Sequence, residues 1–250
     1  MLFVSLNHAI FIGHYCEKSS KAPVQCAAGS NSSSLGLTKA SDCSPCLKSY
    51  YCPHNGTVLA TRLCLPGYYC PSGTADPTFD AKLLCPTGNY CPLGSSDPVP
   101  CLAGSYQDEM GSSECKVCPA GAVCGMKSSV PEPCPVGSYC LAGTRFGGQY
   151  LCPNGTFSNQ VNLTKQSDCK SCLPGMYCES AGLMAPTGPC AAGYFCGGGS
   201  STAHPFGNSN TSATNHSTYS LHSVITSYMG DTCVKPNSNA TINDICPPGQ

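Results

Sequence analysis

The chain has 250 residues and a formal net charge of −1, with only 10% of its residues charged. That balance gives no basic footprint for nucleic acid and no polybasic patch for an anionic membrane. Leu, Ile, Val and Phe together number 41 and tryptophan is absent, too little for the apolar core of an ordinary domain, while cysteines number 23.

Hydrophobic transfer at roughly 25 cal/mol per Å² cannot offset the conformational entropy of so sparse a chain, so crosslinks must hold it. Closing a loop of about 15 residues contributes on the order of 3 kcal/mol. Disulfides persist in oxidising compartments, which predicts a secreted protein or the ectodomain of a membrane protein. Seven Asn-x-Ser/Thr sequons point the same way and mark Asn31, Asn55, Asn154, Asn162, Asn210, Asn215 and Asn239 as glycosylation candidates. No apolar run reaches the roughly 20 residues that span a bilayer.

Residues 1–25 hold a partial repeat behind an atypical, weakly signal-like start. The stretch Met1-Leu-Phe-Val-Ser-Leu-Asn-His-Ala-Ile-Phe-Ile-Gly13 has no positive n-region, and Asn7 and His8 interrupt it. Gly13-His-Tyr-Cys16 is the second half of a motif that recurs downstream, with Ile10 where its opening cysteine would stand. The full motif is a ring of two cysteines around five residues. Its copies are Cys46-Leu-Lys-Ser-Tyr-Tyr-Cys52, Cys64-Leu-Pro-Gly-Tyr-Tyr-Cys70, Cys85-Pro-Thr-Gly-Asn-Tyr-Cys91, Cys118-Pro-Ala-Gly-Ala-Val-Cys124, Cys134-Pro-Val-Gly-Ser-Tyr-Cys140, Cys172-Leu-Pro-Gly-Met-Tyr-Cys178 and Cys190-Ala-Ala-Gly-Tyr-Phe-Cys196. The glycine suits a tight reversal at positive φ, and the aromatic before the closing cysteine is expected to pack on a neighbouring ring or disulfide.

A second element, a longer hoop, runs from Cys26 to Cys43, from Cys101 to Cys115 and from Cys152 to Cys169; each ends in a Cys-x-x-Cys whose second cysteine opens a ring. The chain therefore divides into a first repeat unit with an extra ring (26–100), a second (101–151) and a third (152–196). A Ser/Thr/Asn/Gly-rich linker follows (197–232), then the start of a truncated further repeat (233–250) at Cys246-Pro-Pro-Gly-Gln250. Leu221, Val224, Ile225, Tyr228 and Met229 stand at helix-like spacing in the linker, but the Ser, Thr and His around them oppose a helix. The chain reads as a piece of a longer array.

The expected fold class is a small disulfide-rich one: tandem irregular cysteine-stapled repeats with short β-ribbons in the hoops, an elongated array without a large hydrophobic core. Each module is expected to contact mainly its sequence neighbours. Hoop spacing suggests the pairs Cys26–Cys43, Cys101–Cys115 and Cys152–Cys169. The rings either close internally or interlock, Cys46 with Cys64 and Cys52 with Cys70. Internal closure leaves Cys16, Cys233 and Cys246, of which the last two can pair.

Chemistry is harder to find. Zinc would want two Cys-x-x-Cys pairs or one with histidines in register, and the six histidines are scattered. Redox catalysis would want a Cys-x-x-Cys opening a helix, which Cys43-Ser-Pro-Cys46 lacks. Calcium wants six or more oxygens, whereas Asp42, Glu114 and Asp168 each stand alone before a Cys-x-x-Cys and read as solvated hoop-end carboxylates. No nucleophile elbow and no converging carboxylates are present. The expectation is no catalytic, cofactor-binding or metal-ligating residue, no cofactor, and no enzyme.

Rings of the form Cys-Pro-x-Gly-x-Tyr-Cys, alternating with Cys-x-x-Gly-Ser/Thr hoops that end in Cys-x-x-Cys, resemble the GCC2/GCC3 domain of the ephrin-receptor-like cysteine-rich group, related in style to growth-factor and tumour-necrosis-factor receptor modules. The resemblance spans roughly Gly13 to Cys196 and resumes at Cys246. It implies an extracellular segment of a larger, often membrane-anchored protein, and no kinase signature accompanies it. The expected function is a glycosylated structural spacer or adhesion surface. Its partner would be a protein ligand or a matrix or cell-surface component, with no nucleic acid, and membrane attachment only through parts outside this segment. A receptor-type module binding a protein ligand is the alternative, and a secreted protease inhibitor a third class. Hoops that differ mainly in polar filler, Ser30 to Ala40 against Gln107 to Ser112, favour the spacer.

Overall fold

The structure, a computed structural model, describes residues 11–205. The signal-like start through Ile10, the linker from residue 206 on with its helix-like spacing, Asn210, Asn215, Asn239, Cys233 and Cys246 lie outside the described residues. The protein is a small disulfide-rich fold of tandem cysteine-stapled turns joined by two-residue β-ribbons. Each hoop closes on itself, Cys26–Cys43, Cys101–Cys115 and Cys152–Cys169. So does each ring, from Cys46–Cys52 to Cys190–Cys196.

Rings are joined mainly by backbone, and the ring at Cys64 shows how. Gly67 N–H donates to the Cys91 carbonyl (2.8 Å) and its own carbonyl accepts from Cys85 N–H (2.8 Å), so one residue clasps both ends of the next ring. Cys70 N–H then donates to Ser95 O (2.9 Å), and Gly94 N–H returns a bond to Cys64 O (2.9 Å). Four backbone bonds thus close one joint and satisfy polar groups beside the buried cystines. The joint before it repeats the pattern, Ser49 N–H to Cys70 O, Cys64 N–H to Ser49 O, Cys52 N–H to Thr74 O and Gly73 N–H to Cys46 O.

The hoops prove to be the same turn in longer form. Gly13 donates to Ser32 O, Gly88 to Gln107 O and Gly137 to Ser158 O, in the place that a closing cysteine takes at ring joints. Ser32, Gln107 and Ser158 are buried. Ser158 Oγ donates to Gln160 O and accepts from Gln160 N–H (both 3.1 Å), starting the hoop with a hydroxyl turn where a ring would have a disulfide. Ser32 makes the same turn with Ser34. Gln107, in the shortest hoop, spans it with Nε2 on Glu114 O (2.7 Å) and Oε1 on Glu109 N–H (3.0 Å). Rings and hoops are therefore one repeating module.

The ribbons are more widespread than the hoops. Antiparallel pairs do lie in the hoops, as Ser30–Asn31 with Ser44–Pro45 and Thr156–Phe157 with Lys170–Ser171. They also join rings, as Tyr50–Tyr51 with Arg62–Leu63 and Asn89–Tyr90 with Val99–Pro100. The reason is shared geometry: the two residues before the seventh position face the two that precede the next module's cysteine, as a ribbon in most described modules and as a single bridge at Tyr68–Leu84 and Ser138–Leu151. Among the described residues helical structure is limited to three-residue 3-10 turns such as Ala40–Asp42 and Gln166–Asp168.

The described residues fall into two compact units, one within Met1–Glu132 with Leu141–Phe146 and one within Pro133–Cys140 with Gly147–Gln250. In both, the core is cystine. Among the described residues, the only buried apolar side chains that are not cysteines are Ala60, Pro77, Val123, Phe157 and Leu163. In the second unit Phe157 packs on Cys172 and Cys178, the disulfide of the next module, with Met176 and Leu183 around it. In the first, Cys46 and Cys52 cluster with Ala60 and Tyr50. Ring aromatics such as Tyr51, Tyr69 and Tyr90 remain half-buried, and Phe195 is 52% exposed. They flank the cystine stack rather than forming a core of their own.

Candidate functional site

The three Cys-x-x-Cys pairs are spent on structure. Cys43 bonds Cys26 while Cys46 bonds Cys52, Cys115 bonds Cys101 while Cys118 bonds Cys124, and Cys169 bonds Cys152 while Cys172 bonds Cys178. None of the pairs presents thiolates to a metal or a substrate. Among the described residues no cluster of three or more His, Cys, Asp or Glu side chains is placed to hold a metal ion.

Cys16 is the one described cysteine without a disulfide, and its thiol is half-buried. It borders an open cleft with Phe11, His14, Glu17, Lys18 and Thr38. His14 Nδ1 lies 3.0 Å from the Ile12 carbonyl within its own turn. Gly13 still clasps the hoop that follows, through Ser32 O and Cys26 N–H (both 2.8 Å), so the incomplete ring keeps its place in the array.

The hoop-end acids do more than sit in water. Asp42 Oδ2 accepts from Thr38 N–H (2.9 Å), Thr38 Oγ1 (3.0 Å) and Lys39 N–H (3.1 Å). Asp168 repeats the arrangement with Thr164 and Lys165 at 3.0, 3.0 and 3.2 Å. Each carboxylate ties the far side of its hoop to the closing cysteine. In both, the backbone hydrogen bond from the threonine is the leading cause that holds the carboxyl below its usual range. The middle hoop is built differently. Glu114 contributes its carbonyl to Gln107, and Lys116 bridges Asp108 (2.7 Å) and Glu109 (3.3 Å). The Asp108 hydrogen bond chiefly raises the Lys116 pKa, and the same bond lowers that of Asp108.

A depressed folded-state pKa means stabilisation that is complete above the unfolded carboxylate pKa, about 3.9, and lost as pH falls through the folded value. Hydrogen-exchange protection at the Thr38, Lys39, Thr164 and Lys165 amides is therefore expected to fall in acid below that range. Asp42→Ala should abolish it at Thr38 and Lys39 at every pH while sparing Thr164 and Lys165. Equal protection in the variant and the parent would show that the carboxylate does not hold the hoop.

The sequons divide by exposure. Asn55, Asn154 and Asn162 are exposed, and Asn31 is half-buried in a ribbon. Sequence reasoning missed the inter-module clasp and the buried Ser32, Gln107 and Ser158. The available signal was Cys-x-x-Gly at the start of every hoop, in register with the rings. Compared with models of known protein families the chain has no match, and compared with curated proteins it has none.

Proposed function

We propose that this segment is a non-enzymatic, glycosylated extracellular array of the GCC2/GCC3 type, serving a larger cell-surface or secreted protein as spacer and adhesion surface. A cysteine-stapled fold of this kind is compatible with an extracellular module, and so many disulfides suit a secreted protein or an ectodomain. Among the described residues no helix is long and apolar enough to cross a membrane.

The observation that carries the reading is the joint. The same four backbone bonds recur between successive modules within each unit, and they consume the cysteines and glycines that define the repeat. Such a device propagates a scaffold whatever the hoops carry. The hoop tips 33–37 and 159–163 leave equivalent buried serines and return to equivalent Thr-Lys-x-Ser-Asp-Cys segments, as interchangeable filler would.

The test exchanges those two tips in the chain displayed on cells and measures adhesion to matrix-coated and cell-coated surfaces. A spacer or a repeated adhesive side predicts unchanged adhesion and unchanged display. Loss of adhesion with display intact would favour the receptor reading, in which one hoop recognises a protein ligand.

A further inference from the structure

The module register assigns different fates to sequons that look alike in sequence. Asn31 stands directly before the buried Ser32 that takes the closing-cysteine position, so it occupies the place filled by Tyr51, Tyr69, Tyr90 and Phe157 in other modules. Its Nδ2 is directed at the Val58 carbonyl of the following spacer (3.4 Å), and its Oδ1 is sealed from solvent without a partner. An N-linked sugar makes this side-chain amide secondary. A secondary amide is planar and trans, which places the sugar on the same side of the C–N bond as the carbonyl oxygen. At Asn31 that side is the sealed one, so an oligosaccharide there would have to break the ribbon and leave its joint.

The other three described sequons meet no such obstacle. Asn55 is exposed, and its Oδ1 accepts from Ala28 N–H (2.9 Å), which fixes the amide orientation while the residue stays at the surface. Asn154 is exposed on the turn between Pro153 and Gly155. Asn162 is exposed at φ 65°, and its backbone N–H, not its side chain, bonds Cys134 O (3.0 Å). Bulky, hydrated glycans suit such positions.

We propose that Asn55, Asn154 and Asn162 are sites of N-linked oligosaccharide in the folded protein and that Asn31, despite an intact sequon, is not. The proposal rests on the extracellular reading above. In the test the full chain is secreted behind a cleavable leader from eukaryotic cells that N-glycosylate. Free thiols are counted by alkylation, and occupancy at each sequon is read by mass spectrometry after enzymatic deglycosylation in heavy-oxygen water.

The expected product is oxidised, occupied at Asn55, Asn154 and Asn162, and unmodified at Asn31. Asn55→Gln, Asn154→Gln and Asn162→Gln each remove one glycan's mass. Ser33→Ala, which destroys the Asn31 sequon without touching Asn31, removes none. An oxidised, secreted product glycosylated at Asn31 as fully as elsewhere, or bare at the three exposed sites, overturns the proposal alone. A chain that stays reduced in the secretory lumen overturns the extracellular reading and this proposal with it.

Discussion

Full reduction of the disulfides, followed by blocking of the thiols, is expected to unfold the protein at room temperature rather than merely lower its melting point. The reason lies in what the disulfides replace. Apart from Ala60, Pro77, Val123, Phe157 and Leu163, the buried apolar side chains among the described residues are the cysteines themselves. Opening the cystines removes the crosslinks and the core in one step. By loop-closure entropy a ring bridging a sequence separation of 6 contributes about 2 kcal/mol and a hoop bridging 17 about 3. A few such bonds already match the lower end of a domain's net stability, about 5 kcal/mol. The two-residue ribbons offer no reserve, because an isolated hairpin is marginal in water. The check is far-UV circular dichroism together with protease resistance of the oxidised and the reduced, blocked protein. Equal spectra and equal resistance would mean that the joints hold without their staples.

Cysteine spacing made the modules and the hoop pairs legible and left the rings open between internal closure and interlocking. The rings announce themselves because a tight closure needs two cysteines and a reversal at fixed offsets, and the hoops because each returns to a Cys-x-x-Cys. Three things were hidden. The hoops looked like a second kind of element because Ser32, Gln107 and Ser158 replace a closing cysteine with side-chain hydrogen bonds, and such bonds can be made by several residue types. The turn that returns to the preceding module shows in the sequence as Pro-x-Gly-Ser/Thr at Pro71-Ser-Gly-Thr74 and Pro92-Leu-Gly-Ser95, but not where its left-handed residue is Lys127 or, within a hoop, Asn162, although the backbone bond it makes is unchanged. The hoop-end acids looked merely solvated because the hydrogen bonds to Asp42 and Asp168 come largely from backbone amides, which carry no residue signature. Backbone joints write little into a sequence. Glycine is where they write most.

Gly67→Ala is expected to be among the most damaging single substitutions outside the cysteines, and the joint geometry says why. Gly67 sits at φ 83°, where an L side chain is strained by about 1–2 kcal/mol. A Cβ built there would also collide with the Gly111 carbonyl, which belongs to the turn two modules further on. Contacts therefore reach beyond the sequence neighbour, and the same close approach recurs at Gly29, where an added Cβ would lie 2.5 Å from the Gly73 carbonyl oxygen. Backbone on backbone leaves no rotamer to relieve the clash, so overpacking adds about 1–3 kcal/mol to the strain. Gly36→Ala is the matched control: at φ 77° it carries the same strain, but nothing lies within 4 Å of the added carbon. Ser49 supplies the opposite sign. It holds the clasp position at φ 73° without being glycine, so Ser49→Gly should stabilise by about 0.5–1 kcal/mol once glycine's extra unfolded-state entropy is counted. Guanidinium midpoints measured with the disulfides intact should rank Ser49→Gly above the parent, then Gly36→Ala, then Gly67→Ala. If Gly67→Ala cost no more than Gly36→Ala, the carbonyl two modules away would be free to yield, and each joint would be a local turn instead of a contact shared by three modules.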